Sequence, residues 1–260
     1  MVKISANLGF LWPELPLLQR IDAAGAAGFG AVELHVPYDV PPDAVRDACA
    51  RNGVRLLNIN TDFGRGAEGR RGVAAVPGRE AEFAGLVDQA VGWASAAGGT
   101  SVQATAGIVA EAEHDRAREV IVANLRAAAP KAAEKGLTLL LEPLNLRTAP
   151  GYFLSRVEQA VDIIEAVGAP NVKVMFDIFH IGIQQGDVLT RLRTNIGHIH
   201  HIQIAAVPSR HEPDEGEINY PAIFAELDAL GYPGWVGAEY APRAGTDAGL
   251  GWIEAFGLTL

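Results

Sequence analysis

The sequence predicts a closed (β/α)8 TIM barrel, a single domain over residues 1–260. Three observations carry that expectation. Eight apolar, strand-like runs alternate with eight Ala-rich amphipathic stretches. A chain of 260 residues has the length such a barrel needs. After the first strand comes Gly9-Phe-Leu-Trp-Pro13, which lacks the Gly-rich phosphate turn that an open doubly wound sheet often places there.

The strands expected are Lys3–Leu8, Gly30–His35, Val54–Asn60, Thr100–Thr105, Leu137–Glu142, Asn171–Asp177, His198–Ile204 and Trp235–Tyr240. Between them the spacing predicts helices over Leu15–Ala27, Pro42–Asn52, Arg79–Ala97, Ala112–Lys135, Ser155–Val167, Asp187–Asn195, Pro221–Leu230 and Thr246–Phe256. Gly28, Gly53, Gly98, Gly136, Gly168 and Gly231 stand where helices should stop. The stretch Asp62–Gly78 is the longest without a regular pattern. It carries Arg65, Arg70 and Arg71 and reads as a surface loop or a lid over an anion.

Composition narrows the function classes. The chain is 49% hydrophobic, enough for a sizeable core, yet no apolar run is long enough to span a membrane. The N-terminus runs straight into a strand pattern without a signal-peptide segment, and Cys49 is the single cysteine, so a reducing cytoplasmic setting is expected. A formal charge of −10 argues against nucleic acid and membrane surfaces as partners, while leaving a small anionic substrate open. Oligomeric state is not encoded legibly; a homo-oligomer stays open.

The chemistry is expected at the carboxyl ends of the strands. Leu137-Thr-Leu-Leu-Leu-Glu142 reads as a buried strand ending in a carboxylate, and Pro143 stops it. A bare buried carboxylate costs several kcal/mol unless a cation or dense hydrogen bonding compensates it. Every strand end carries a polar group: Asn7, Glu33 and His35, Asn58 and Asn60, Gln103, Glu142, Asp177, Gln203 and Glu239. The last four fall on consecutive strands at spacings near one βα unit. Three carboxylates and an amide oxygen converging there would repel one another without a cation. An all-oxygen set suits Mg²⁺ or Mn²⁺ better than Zn²⁺. The plainer alternative has Asp177 capping a turn and Gln203 satisfying backbone.

Substrate-handling candidates surround the set. His180, three residues after Asp177, is placed in the loop at the same mouth as a donor to a substrate oxygen. Arg210 lies in the polar loop Pro208–Glu217 and offers a fork for a carboxylate. Asp214 and Glu215 in that loop are expected to be solvated. His201 shares the face of Gln203, while His198 and His200 read as structural.

Several motifs together resemble the hydroxypyruvate isomerase family of xylose-isomerase-like barrels. They are Glu142-Pro-Leu-Asn145, Asp177-Ile-Phe-His180, His201-Ile-Gln203, Gly216-Glu-Ile-Asn-Tyr220 and Gly234-Trp-Val-Gly-Ala-Glu-Tyr240. The resemblance implies interconversion of hydroxypyruvate and tartronate semialdehyde, or of a related 2-oxo sugar acid. It implies Glu142 and Glu239 as the acid/base pair, with Glu142, Asp177, Gln203 and Glu239 holding a divalent metal. Arg210 or Arg71 would then hold the substrate carboxylate. Two stretches depart from the family pattern: Phe63–Gly72, which keeps Arg71 but has Arg70 in place of a Glu, and Ala205-Ala206 after the seventh strand. Other functions stay open: a sugar epimerase or keto-polyol dehydratase of the same superfamily, a nuclease of the endonuclease IV type, and a non-catalytic sugar-acid-binding barrel. Gln203 and the acidic charge count against the nuclease.

Overall fold

A computed structural model describes residues 2–66 and 71–260; Arg70 lies outside the described residues. Eight parallel strands close into a barrel in sequence order. They are β1 (Lys3–Asn7), β2 (Ala31–Glu33), β3 (Arg55–Asn60), β4 (Ser101–Gln103), β5 (Thr138–Leu141), β6 (Val172–Asp177), β7 (Ile199–Ile204) and β8 (Trp235–Ala238). The helices are α1 (Leu17–Ala26), α2 (Pro42–Asn52), α3 (Glu80–Ala97), α4 (His114–Glu134), α5 (Val157–Val167), α6 (Ile178–Gln184), α7 (Val188–Asn195), α8 (Tyr220–Ala229), α9 (Thr246–Gly249) and α10 (Trp252–Ala255).

The outer ring forms for an ordinary reason. On α5 the buried positions are Val157, Ala160, Ile163, Ile164 and Val167, one stripe of 3.6 periodicity facing the strands. Fully burying each of its larger side chains contributes about 1.5–3 kcal/mol. The helix stops at Gly168, whose φ of 74° is left-handed, as the sequence expects. Cys49 is a buried thiol on α2. Among the described residues no helix is long and apolar enough to cross a membrane.

Inside the barrel several strands turn polar residues inward. On β1, Ile4 and Ala6 join the core cluster while the alternate positions, Ser5 and Asn7, are buried polar residues. Register then aligns polar groups between neighbours: Asn7 pairs with Glu33, Asn60 with Gln103, and Asp177 with Gln203. The barrel axis therefore carries a column of hydrogen-bonding groups that leads to the carboxyl-end mouth.

Three local expectations are corrected. The run after Asp177 is a helix, α6, so His180 sits in a first helical turn and not in a loop. The expected helix Thr246–Phe256 divides into α9 and α10. Asp214 and Glu215 are ion-paired with Arg243 and not merely solvated, because Arg243 returns from the loop after β8 to bridge them.

Candidate active site at the carboxyl-end mouth

Glu142 and Glu239 each follow the last residue of their strand, β5 and β8. Asp177 ends β6 and Gln203 lies on β7. All four are buried. Glu142 Oε2 accepts from the Gln103 side-chain amide, a partner from β4. Glu239 is more heavily engaged. Its Oε1 accepts from Asn7 Nδ2 at 3.0 Å and from Gln203 Nε2 at 3.4 Å, and lies 3.1 Å from His35 Nε2. Its Oε2 accepts from Arg210 Nη2 at 2.6 Å.

Asp177 reconciles the two readings of its role. Its Oδ1 caps α6 by accepting from the Phe179 backbone N–H at 2.8 Å. Its Oδ2 accepts no hydrogen bond among the described residues, although His180 Nε2 is 3.5 Å and Arg210 Nη2 3.8 Å away. Gln203 Oε1 is likewise buried without a partner among the described residues. Two orphaned acceptors on paired residues of adjacent strands are costly unless something positive occupies the space they face. With Glu142 and Glu239 they make an all-oxygen donor set that fits a hard divalent cation.

His180 also lies close: one ligand atom each from Glu142, Asp177 and His180 falls within 4.8 Å of the others. Its tautomer argues against a ligating role. Nδ1 accepts from the Asn145 backbone N–H at 3.0 Å, so in the neutral ring the proton sits on Nε2, the nitrogen facing the carboxylates. Burial, assisted by Arg210, pushes His180 down to about 3, so the ring is neutral. His180 is thus a donor at the mouth.

The carboxylates divide unequally without a cation. Burial, with Glu239 and Asp177 nearby, pushes Glu142 well above the usual carboxylate range. Burial and the Glu239 charge push Asp177 up to about 8, against the pull of Arg210. Burial would raise Glu239 as well, but Arg210 and His35 outweigh it and hold Glu239 at about 2. Of these three carboxyls, Glu239 is the one whose charge is matched, by the Arg210 guanidinium. A bound cation would do the same for the other two.

Arg210 is built in with unusual care. Its φ is +59°, a left-handed conformation uncommon outside glycine. Its backbone is tied on both sides, N–H to the Ala206 carbonyl and carbonyl from the Ala241 N–H, each at 2.8 Å. The guanidinium carbon lies 4.7 Å from the ring centroids of both Phe10 and Phe179. Arg71 reaches the same mouth and donates from Nη2 to the Thr148 carbonyl at 2.8 Å. Between these groups is a cavity of about 420 Å³, walled also by Phe63, Leu144 and Tyr152, in the size range of small-molecule sites. Another cavity of about 520 Å³ opens at the opposite end, beside Arg55, Thr100 and Trp235, away from all the site residues.

The structure therefore brings Glu142, Glu239, His180, Arg210 and Arg71 to one cavity, with Asp177 and Gln203 beside it. The sequence placed Asn7, His35 and Gln103 at strand ends without a task; they orient the two glutamates. Phe10 and Phe179 were not singled out, since no local pattern marks an aromatic pair that meets across 169 positions (179 − 10).

Comparisons with known proteins place this geometry. The family model for the xylose isomerase-like TIM barrel matches residues 21–256. The chain is 46% identical to a 2-oxo-tetronate isomerase of Cupriavidus necator, over 98% of this chain and 99% of that protein. It is 36% identical to the hydroxypyruvate isomerase of Escherichia coli, over 98% of this chain and all of that one (100%). A crystal structure from Brucella melitensis, described as an AP endonuclease, family 2, superposes with a TM-score of 0.95 at 41% identity, covering 98% of this chain and 99% of that one. By these matches the chain belongs to the xylose isomerase-like TIM barrel family and, within it, to the hydroxypyruvate isomerase family of aldose–ketose isomerases.

Proposed function

We propose that the protein exchanges the carbonyl and hydroxyl groups of C-2 and C-3 in a short 2-oxo-3-hydroxy acid. Hydroxypyruvate and a 2-oxo-tetronate both fit that description, and the names of the relatives support this substrate class. The single observation that carries the reading is the pair Glu142 and Glu239, both buried at one cavity and both held by neutral amides.

One carboxylate removes the proton from C-3, leaving an enediolate, and the other delivers a proton to C-2. The hydroxyl proton passes from O-3 to O-2, so mass is conserved. His180, neutral and with its proton on Nε2, donates to a substrate oxygen. Arg71 holds the substrate carboxylate, because the charge of Arg210 is already matched by Glu239. Arg210 instead keeps Glu239 ionised and in place. A divalent cation, Mg²⁺ or Mn²⁺, held by Glu142, Asp177, Gln203 and Glu239 would supply Lewis-acid stabilisation of the enediolate oxygens. A cytoplasmic setting agrees with the lone buried thiol of Cys49.

The nuclease label of the Brucella structure is not adopted for this chain. Its formal charge is −10, and the candidate cation cluster holds two carboxylates, Glu142 and Asp177, with a single histidine. The test is a screen of hydroxypyruvate, 2-oxo-tetronates and neutral ketoses with added Mg²⁺ or Mn²⁺, with NMR of the products. Conversion of the acids to 3-oxo-2-hydroxy isomers is expected. Turnover confined to neutral ketoses, or loss of water from the substrate, would reject the assignment in favour of an epimerase or a dehydratase.

A further inference from the structure

Glu33 is fully buried on β2, yet no step above uses it. Its Oε1 accepts from Ser5 Oγ at 2.8 Å, and its Oε2 accepts from Gln203 Nε2 at 2.8 Å. His201 Nε2 lies 3.0 Å from the same Oε2. Both oxygens of Glu33 thus accept, and the Gln203 amide presents its NH2 group to the carboxyl. The other end of the Gln203 amide, Oε1, is left buried without a partner among the described residues, as is Oδ2 of its strand partner Asp177.

The barrel is shaped around this carboxylate. Gly237 is the strand partner of both Ser5 and Gln203. A Cβ at Gly237 would stand 2.0 Å from Glu33 Oε1 and 2.9 Å from its Cδ. Any side chain there would displace the carboxylate, so the glycine of the Gly234–Tyr240 stretch is required by close approach and not by backbone conformation.

We propose that Glu33 is a positioning residue: it locks the Gln203 amide with its oxygen directed at the cation site, and Gly237 provides the space for it. The inference rests on the reading that Gln203 is one of the oxygen ligands.

The test is Mn²⁺ affinity, read from the electron paramagnetic resonance signal of free Mn²⁺ during titration, independent of turnover. Glu33→Gln is isosteric, but an amide at 33 can pair with either end of the Gln203 amide. Its Mn²⁺ affinity should fall about 10- to 100-fold, the usual effect of losing an outer partner of a metal ligand. The exchanged pair E33Q/Q203E puts the donor on 33 and again leaves an oxygen facing the cation, so it should recover most of that loss. Gly237→Ala, which displaces the Glu33 carboxylate without altering its chemistry, should weaken Mn²⁺ binding to a similar degree. Wild-type affinity in Glu33→Gln or Gly237→Ala would overturn the role of Glu33. A loss in Glu33→Gln that E33Q/Q203E does not relieve would also overturn it, by showing a merely structural effect. Absence of Mn²⁺ binding in the wild type would instead remove the metal reading, and this inference with it.

Discussion

Arg210 donates from Nη2 to Glu239 Oε2 at 2.6 Å while its guanidinium is held between the rings of Phe10 and Phe179. The pair is buried, so each partner depends on the other for its charge. Replacing Arg210 by Ala leaves an uncompensated carboxylate, and kcat should fall by about 100-fold or more, in the range seen when an electrostatic donor is lost. Arg210→Lys should recover little of it, since a compact ammonium cannot fill a planar slot between two rings. Steady-state kinetics of both variants checks this; wild-type turnover in the Lys variant would show that charge alone suffices.

Arg71 should behave differently. Its role is to grip an oxygen pair that does not react, so Arg71→Ala should raise KM for the 2-oxo acid with a smaller change in kcat. A lost hydrogen bond to a charged group is worth about 1.5–3 kcal/mol, which corresponds to roughly 10- to 150-fold in KM. Neutral ketoses, if turned over at all, should be insensitive to the substitution.

Chelation is expected to abolish turnover. Protein treated with EDTA and freed of it should regain activity with Mg²⁺ or Mn²⁺. Full activity in metal-depleted protein, verified by elemental analysis, would contradict the cation site formed by Glu142, Asp177, Gln203 and Glu239.

Stability of the metal-free protein should fall as pH rises. Asp177 is raised from its ordinary 3.8 to about 8. Between those values the unfolded chain has released a proton that the folded chain keeps, so folding is progressively disfavoured and the loss is complete near pH 8. Glu142, raised in the same direction, adds to the trend. Thermal melts of the EDTA-treated protein across pH 4–8 should show a falling Tm, and added Mn²⁺ should flatten the slope. An apo Tm that rises across that window would refute the burden of charge assigned to these two carboxyls.

Much of this site was legible in the sequence because barrel geometry is periodic. Once eight strands were assigned, Glu142, Asp177, Gln203 and Glu239 had to emerge at one mouth, and the register of β6 with β7 places two of them side by side. What stayed hidden is of two kinds. Helix α6 follows directly on an apolar strand and is only seven residues long, so Ile178-Phe-His-Ile181 reads as a loop; only the capping Asp177 announces the helix. The other kind is long-range: Glu33 meets Gln203 across 170 positions, and Arg243 gathers Glu212, Asp214 and Glu215 from another loop. Partners of that sort leave no local pattern, and neither does the left-handed backbone of Arg210.

The most direct measurement is solvent exchange in D2O, followed by NMR, with the 2-oxo acid and Mg²⁺ or Mn²⁺ supplied in excess. Wild-type protein should place deuterium on C-2 of the 3-oxo product and, by the reverse step, on C-3 of the remaining substrate. Glu142→Gln and Glu239→Gln should each stop formation of the deuterated product, while far-UV circular dichroism stays that of the wild type. Product formation near the wild-type rate in either folded variant would contradict proton transfer by this pair.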